Sequence, residues 1–192
     1  MKDGINPDSL SRLSTIVSAQ LGLHFPPHRA ADLERGVRGA AHDLGFPSVE
    51  ACVESLLSTP LSAPQIDALA QHLTVGETYF FREKNTFDAL GKTALPSLIE
   101  ARRNEKRLRL WSAGCCTGEE PYSLAILLSR LLPDISTWHI TILATDINSR
   151  FLQKAGVGVY SNWSFRATPP DVSRTSARPA SFGERYMRRY VT

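Results

Sequence analysis

The stretch that decides the fold runs Arg107-Leu108-Arg109-Leu110-Trp111-Ser112-Ala113-Gly114-Cys115-Cys116-Thr117-Gly118-Glu119-Glu120-Pro121-Tyr122-Ser123-Leu124-Ala125. Its first four residues alternate between charged and apolar side chains and Trp111 follows them, which predicts a β-strand. A loop of small residues with two glycines follows, and the segment from Glu119 to Leu132 predicts a helix with Pro121 in its first turn. A strand, a glycine loop and a helix in this order are typical of the nucleotide-type pocket of a doubly wound α/β fold.

The charge of this loop indicates which ligand it suits. Glycine amides at a helix N-terminus attract phosphate, but Glu119 and Glu120 place two negative charges at that point. They would repel phosphate and favour a ligand that carries positive charge and hydroxyl groups. S-adenosyl-L-methionine, with its sulfonium, its ammonium and its ribose, has this chemistry.

A second acidic position supports the same interpretation. The run from His139 to Asn148 is rich in β-forming residues and contains Asp146 near its end. In a nucleotide-binding βαβ unit, the acid that binds the ribose follows the second strand, roughly 20 residues after the glycine loop. The spacing from Gly118 to Asp146 is slightly longer. The alternative interpretation is an ordinary glycine turn followed by a surface aspartate.

Three segments of the chain together resemble one family, the CheR-type chemotaxis receptor methyltransferases, which are protein-glutamate O-methyltransferases. The segments are Leu73–Glu83, with the sequence LTVGETYFFRE, then Trp111–Ala125, and then Ala144–Asn148 followed by Leu152, Ala155 and Gly158-Val159-Tyr160. The resemblance implies S-adenosyl-L-methionine as the cofactor and a methyl-accepting chemotaxis receptor as the protein substrate. It also implies methylation of receptor glutamates in chemotaxis or in a related signalling pathway.

The resemblance also implies roles for individual residues. Thr78 and Arg82 match positions that hold the amino-acid end of the cofactor, Glu119 matches the position that reaches its ammonium group, and Asp146 matches the ribose acid. Gly114 and Gly118 let the backbone approach the ligand. Gly76 stands where some relatives carry an asparagine that contacts the cofactor. No catalytic residue is predicted, because a glutamate acceptor is already ionised at neutral pH.

The predicted fold class is α/β, with a small all-helical N-terminal domain followed by the first part of a doubly wound Rossmann-like methyltransferase domain. We place the helical domain at 1–74, the partial methyltransferase domain at 75–166, and a basic, disordered tail at 167–192. In the helical domain, Asp8 or Ser9, Ser48, and the capping box Ser62-Ala63-Pro64-Gln65 are the predicted helix starts. Tyr79, Phe80 and Phe81 are expected in the core.

The family continues beyond the matching segments, so we expect the chain to be C-terminally truncated and to be a poor catalyst by itself. The alternative is a non-catalytic remnant that acts as a partner-binding module. A dinucleotide-dependent oxidoreductase is disfavoured, because the loop is acidic and lacks the Gly-x-Gly-x-x-Gly pattern.

Composition excludes further classes. The net charge is only +3, and the sequence has neither an apolar run long enough to span a membrane nor a hydrophobic signal region. We therefore expect a cytoplasmic protein with no membrane insertion and no nucleic-acid partner. Cys52, Cys115 and Cys116 have no histidine or cysteine neighbours at metal-ligand spacing, which indicates reduced thiols and no metal site.

Overall fold

The computed structural model describes residues 4–58 and 60–168, which form two compact units. The first unit comprises the described residues up to Val75 together with Ile147–Ser149, and the second comprises Gly76–Asp146 and the described residues from Arg150 onward. The predicted tail at 167–192 lies outside the described residues except for its first two positions.

The first unit is built from helices around one apolar core. Its helices are α1 (Pro7–Leu21), α2 (Ala30–Asp43), α3 (Val49–Ser58) and α4 (Ala63–Leu73). The core side chains recur at helical spacing, and the large fully buried ones are Leu13, Val17, Leu33, Val37, Leu56 and Leu69. The apolar residues that recur at helical spacing in the sequence are therefore the ones that face the core.

The helix starts are mostly the predicted ones. Ser62 and Gln65 form the capping box of α4, and the Ser48 hydroxyl accepts a hydrogen bond from the Ala51 amide before α3. The predicted cap of α1 is wrong. The helix begins at Pro7, and the Asn6 side chain accepts from the Asp8 amide, because proline is well suited to the first helical position and leaves the preceding residue as the cap.

Two glycines inside α2 permit its close approach to α4. A Cβ atom at Gly36 would lie 2.2 Å from Leu73 Cδ2, and one at Gly39 would lie 2.4 Å from His72 Nδ1. Each glycine costs about 1 kcal/mol of helix propensity relative to alanine. The close packing against α4 that the missing side chains allow offsets this cost, which arises from the backbone freedom that glycine loses in a helix.

The second unit contains two parallel strands and the helices around them. In chain order the elements are α5 (Lys84–Ala89), a π-helical turn (Leu90–Ala94), α6 (Leu95–Ala101), β1 (Arg107–Ala113), α7 (Glu119–Leu131), β2 (His139–Thr145) and α8 (Ser149–Val157), followed by a 3₁₀ turn at Asn162–Phe165. Pro96 lies in the first turn of α6, directly after the π-helical turn, where its missing amide hydrogen is tolerated.

The β1 and β2 strands pair in parallel, with Leu108 opposite Ile140 and Ala113 opposite Thr145. One face of the pair is buried against α7, and its core includes Leu108, Leu128 and Ile142. On the other face, Trp111 is 68% exposed. A helical N-terminal unit followed by a parallel βαβ start confirms the predicted fold class, since parallel strands need a crossover helix. Among the described residues, no helix has the length and apolar character needed to cross a membrane.

Candidate functional site

The glycine loop begins where β1 ends, and β2 holds it there. The amides of Gly114 and Cys115 both donate to the Thr145 carbonyl, at 2.8 and 2.9 Å. The Cys116 amide donates to Asp146 Oδ2 at 2.8 Å, so the carboxylate that follows β2 lies against the loop. Gly114 is exposed, has a φ of +77°, and has open space where a side chain would point. The structure therefore brings Gly114 and Asp146 to the same edge of the sheet.

Gly118 ends the loop and precedes the first residue of α7. Its φ is +99°, and a Cβ atom there would lie 2.6 Å from the Tyr160 hydroxyl and 2.9 Å from Ala155 Cβ. The Tyr160 hydroxyl donates to the Thr117 carbonyl at 2.7 Å. Glycine is thus required both by the backbone conformation and by the space that Tyr160 and Ala155 leave.

The two glutamates that open α7 point to different places. Glu119 is 3% exposed, and its carboxylate accepts from the Thr117 hydroxyl at 2.6 Å and from the Ser164 hydroxyl at 3.0 Å. Glu120 is exposed and accepts from the Ser112 hydroxyl of β1 at 2.6 Å. Successive residues of a helix point about 100° apart. Glu120 therefore lies nearer the end of β1 than Glu119 does.

Backbone hydrogen bonds hold the segment that contains Thr78 and Arg82 in place within the second unit. The Phe81 amide donates to the Ser123 hydroxyl at 2.9 Å, and the Phe80 amide donates to the Ser164 carbonyl at 2.8 Å. Thr78 is half-buried, while the Arg82 guanidinium donates to the Glu77 carbonyl.

Three aromatic side chains of this segment were expected in the core. Phe80 and Phe81 are buried there, as predicted, whereas Tyr79 is only half-buried and lies under the Arg166 guanidinium.

Phe151 fills the space that a side chain at position 76 would need. A Cβ atom at Gly76 would lie 2.4 Å from Phe151 Cζ. The asparagine that some relatives carry at this position therefore cannot be accommodated unless the Phe151 ring moves. This contact gives a physical reason for the departure from the family pattern.

The cysteines of the loop are not poised as nucleophiles. Burial, and next the nearby charge of Asp146, raise the pKa of the Cys115 thiol to about 11, and burial also raises the pKa of Cys116. Both thiols are therefore protonated at neutral pH, and a protonated thiol is a weak nucleophile and a weak ligand. Within residues 4–58 and 60–168, no group of three or more His, Cys, Asp or Glu side chains is placed to hold a metal ion.

The chemistry of these residues fits a cationic ligand that carries hydroxyl groups. The carboxylates of Glu120 and Asp146 lie near the ends of the paired strands β1 and β2. Glu120 accepts from the Ser112 hydroxyl at 2.6 Å, and Asp146 accepts from the Cys116 amide at 2.8 Å. Gly114 leaves the backbone open beside them. Carboxylates of this kind accept hydroxyl and ammonium donors, which S-adenosyl-L-methionine provides.

Comparison with known proteins gives a family for this site. The profile of the CheR methyltransferase SAM-binding domain matches residues 76–188. A chemotaxis protein methyltransferase of Borreliella burgdorferi is 33% identical over 159 residues, which cover 81% of this chain and 56% of that protein. A probable chemotaxis protein methyltransferase of Rhizobium etli is 36% identical over 60% of this chain and 43% of its own length. One from Listeria monocytogenes is 42% identical over 50% of this chain and 35% of its own length.

These matches confirm the resemblance deduced from the three motifs, and they confirm S-adenosyl-L-methionine as the cofactor that the domain implies. The aligned part of the chain spans between 35% and 56% of the length of these relatives. The family profile extends over more than half of the chain, from the start of the second unit onward. The chain therefore belongs to the CheR methyltransferase family, of which it carries the S-adenosylmethionine-binding domain.

Proposed function

We propose that this protein takes part in S-adenosylmethionine-dependent methyl transfer to glutamate side chains of methyl-accepting chemotaxis receptors. The observation that carries the proposal is the pair of carboxylates, Glu120 and Asp146, at the carboxyl ends of two adjacent parallel strands, beside a loop opened by Gly114. In open α/β sheets, ligands bind at this end of the strands. The names of the relatives, which are chemotaxis protein methyltransferases, support the class of substrate.

Each predicted site residue has a proposed role. Asp146 accepts the ribose hydroxyls, Arg82 and Thr78 hold the amino-acid end of the cofactor, and Gly114 and Gly118 keep the backbone close to the ligand. Arg82 is suited to its role because a guanidinium pairs with a carboxylate through two hydrogen bonds.

We further propose that the two glutamates divide the work. Glu119, whose carboxylate is buried and bonded to Thr117 and Ser164, fixes the shape of the loop. Glu120 is the exposed carboxylate of the pair and is available to the ammonium group. In this proposal Glu119 acts on the cofactor indirectly, because it fixes the shape of the loop that contacts the cofactor.

The boundaries remain part of the proposal. We assign a helical N-terminal domain to residues 1–74 and the cofactor-binding part of the methyltransferase domain to residues 75–166.

S-adenosylmethionine held by Asp146, Arg82, Thr78 and Glu120 would supply an activated methyl group to a glutamate oxygen, with the sulfur as the leaving group. No proton is transferred, so the protein has to orient the two groups and exclude water rather than supply a base.

Calorimetry with the full chain tests the cofactor part of the proposal. We expect S-adenosylhomocysteine to bind and NAD to bind more weakly or not at all, because the acidic loop repels the NAD phosphates. Tighter binding of NAD would overturn the proposal. Asp88→Asn, at an exposed ion pair with Lys84 on α5, is a matched control that should leave the affinity unchanged.

Methyl transfer tests the substrate part. The full chain is incubated with S-adenosylmethionine carrying a radiolabelled methyl group and with receptor-containing membranes. Label that is released as methanol by mild base identifies a glutamate methyl ester, whereas base-stable label would contradict glutamate as the acceptor. A chain that binds S-adenosylhomocysteine but transfers no label would favour the alternative, a partner-binding module without catalysis.

A further inference from the structure

The outer face of α8 is basic at one end and apolar at the other. Arg150, Gln153, Lys154 and Val157 occur at the i, i+3, i+4 and i+7 positions, so they lie along one side of the helix. All four are exposed, while Ala155 on the opposite side is fully buried. The Lys154 ammonium forms no ion pair with any other residue in the described part of the chain.

Two apolar side chains extend this face to the segment that follows the helix. Val157 and Val159 are 72% and 77% exposed, and both line the same cavity as Arg150 and Lys154. Exposed apolar residues scattered singly are ordinary, but apolar residues that share a concave surface with basic ones indicate an interaction site.

A cavity of about 780 Å³ opens on this face and reaches the glycine loop between β1 and α7. Arg150, Lys154 and Val159 line its outer part, and Thr117 and Glu119 line the part next to the loop. The Glu119 carboxylate is buried and already accepts two hydrogen bonds, so the exposed charge around the opening is positive. The surface and the proposed cofactor site thus share the Thr117–Glu119 segment.

We propose that this surface, formed by Arg150, Lys154, Val157 and Val159 and here called the α8 surface, binds an acidic segment with apolar side chains in the methyl-accepting protein. The inference rests on the proposed function. Carboxylates of the segment pair with Arg150 and Lys154, and its apolar side chains cover the two valines. A second candidate occupant is the chain's own segment 169–192, but it carries more arginines than acids and has the same sign of charge as the surface.

Fluorescence anisotropy with the full chain tests the charge complementarity. The probe is a labelled synthetic peptide with glutamates and leucines at helical spacing, and its comparison is the same peptide with every glutamate replaced by glutamine. We expect the acidic peptide to bind at least about tenfold more tightly at low salt, because only it pairs with the basic residues. This preference should shrink as salt is raised toward about 0.3 M, where the screening length is short.

Substitutions locate the binding on the surface. The double variant Arg150→Glu and Lys154→Glu should bind the acidic peptide about tenfold or more weakly. Arg12→Glu, an exposed charge reversal on α1, should leave the affinity for the peptide unchanged. Val159→Asp should weaken it as well, and Val75→Asp, at a position 84% exposed, is the matched control. Equal effects of the surface and control variants would overturn the proposal.

Two further measurements separate the remaining outcomes. Calorimetry with S-adenosylhomocysteine is run on the same samples. A chain that binds S-adenosylhomocysteine normally but shows no preference for the acidic peptide refutes the α8 surface and leaves the proposed function intact. Displacement of the acidic peptide by a synthetic 169–192 peptide, or by a single-stranded oligonucleotide at lower concentration, would also overturn the proposal, because each identifies a different occupant.

Discussion

Replacement of Gly118 by alanine tests whether Tyr160 and Ala155 limit the space at the end of the glycine loop. The added Cβ atom would lie 2.6 Å from the Tyr160 hydroxyl and 2.9 Å from Ala155 Cβ, and the backbone there has a φ of +99°. An L-residue in left-handed backbone costs about 1–2 kcal/mol. Overpacking of a filled site costs about 1–3 kcal/mol. We therefore expect Gly118→Ala to lower the free energy of unfolding by about 2–5 kcal/mol.

Gly114→Ala is the matched control, since Gly114 also has a positive φ, of +77°, but has nothing within 4 Å of its Cβ position. Gly114→Ala should lower the free energy of unfolding only by the cost of the left-handed backbone conformation, about 1–2 kcal/mol. A third variant combines Gly118→Ala with Tyr160→Phe, which removes the hydroxyl that the new methyl group would meet. The two substitutions should then be less than additive, by about 1 kcal/mol.

Urea unfolding followed by tryptophan fluorescence is the assay. All three tryptophans, Trp111, Trp138 and Trp163, belong to the second unit, so the signal reports on the unit that contains the loop. Equal losses for Gly118→Ala and Gly114→Ala would refute the reasoning, because they would mean that Tyr160 and Ala155 leave room for a side chain. Full additivity in the double variant would show that the Tyr160 hydroxyl is not the obstacle.

Three further outcomes are expected. Asp146→Asn should weaken S-adenosylhomocysteine binding by about 1–3 kcal/mol in calorimetry, as expected for a hydrogen bond to a charged group, and an unchanged affinity would exclude Asp146 from the site. Ser123→Ala should destabilise the second unit by about 1–3 kcal/mol in the same urea assay, because the buried Phe81 amide loses its 2.9 Å acceptor; no loss would show that another group replaces it. Because the folded pKa of Cys115 is raised to about 11 from 9.0, the unfolded thiol ionises first as pH rises. The stability of the second unit should be constant with respect to this group below pH 9 and should fall between 9 and 11, and Cys115→Ala should remove that part of the fall.

The local elements could be predicted from the sequence because short-range patterns determine them. The alternation before Trp111 predicted β1, the segment from Glu119 predicted α7 to within one residue at its end, and Ser62 with Gln65 predicted the start of α4. The motifs also identified the family, which the comparison confirms. In each case the information lies within a few residues of the element that it specifies.

The arrangement of the site could not be predicted in this way, because its contacts join distant positions. No local pattern indicates that Ser164 donates to Glu119, or that Tyr160 limits the space at Gly118. The different directions of Glu119 and Glu120 also depend on which partners, Ser164 or Ser112, the fold brings near. The roles assigned to the site residues remain predictions that the binding experiments will decide.

The hydrogen bonds that close the glycine loop also constrain the order in which the second unit can assemble. The Cys116 amide is held by a residue 30 positions later in the chain, and the Thr117 carbonyl by one 43 positions later. During synthesis the loop leaves the ribosome before either of these partners has emerged, and α7 can form ahead of it because its own hydrogen bonds are local. The loop therefore reaches its final shape only after Tyr160 has emerged, later than the helix that follows it in the chain.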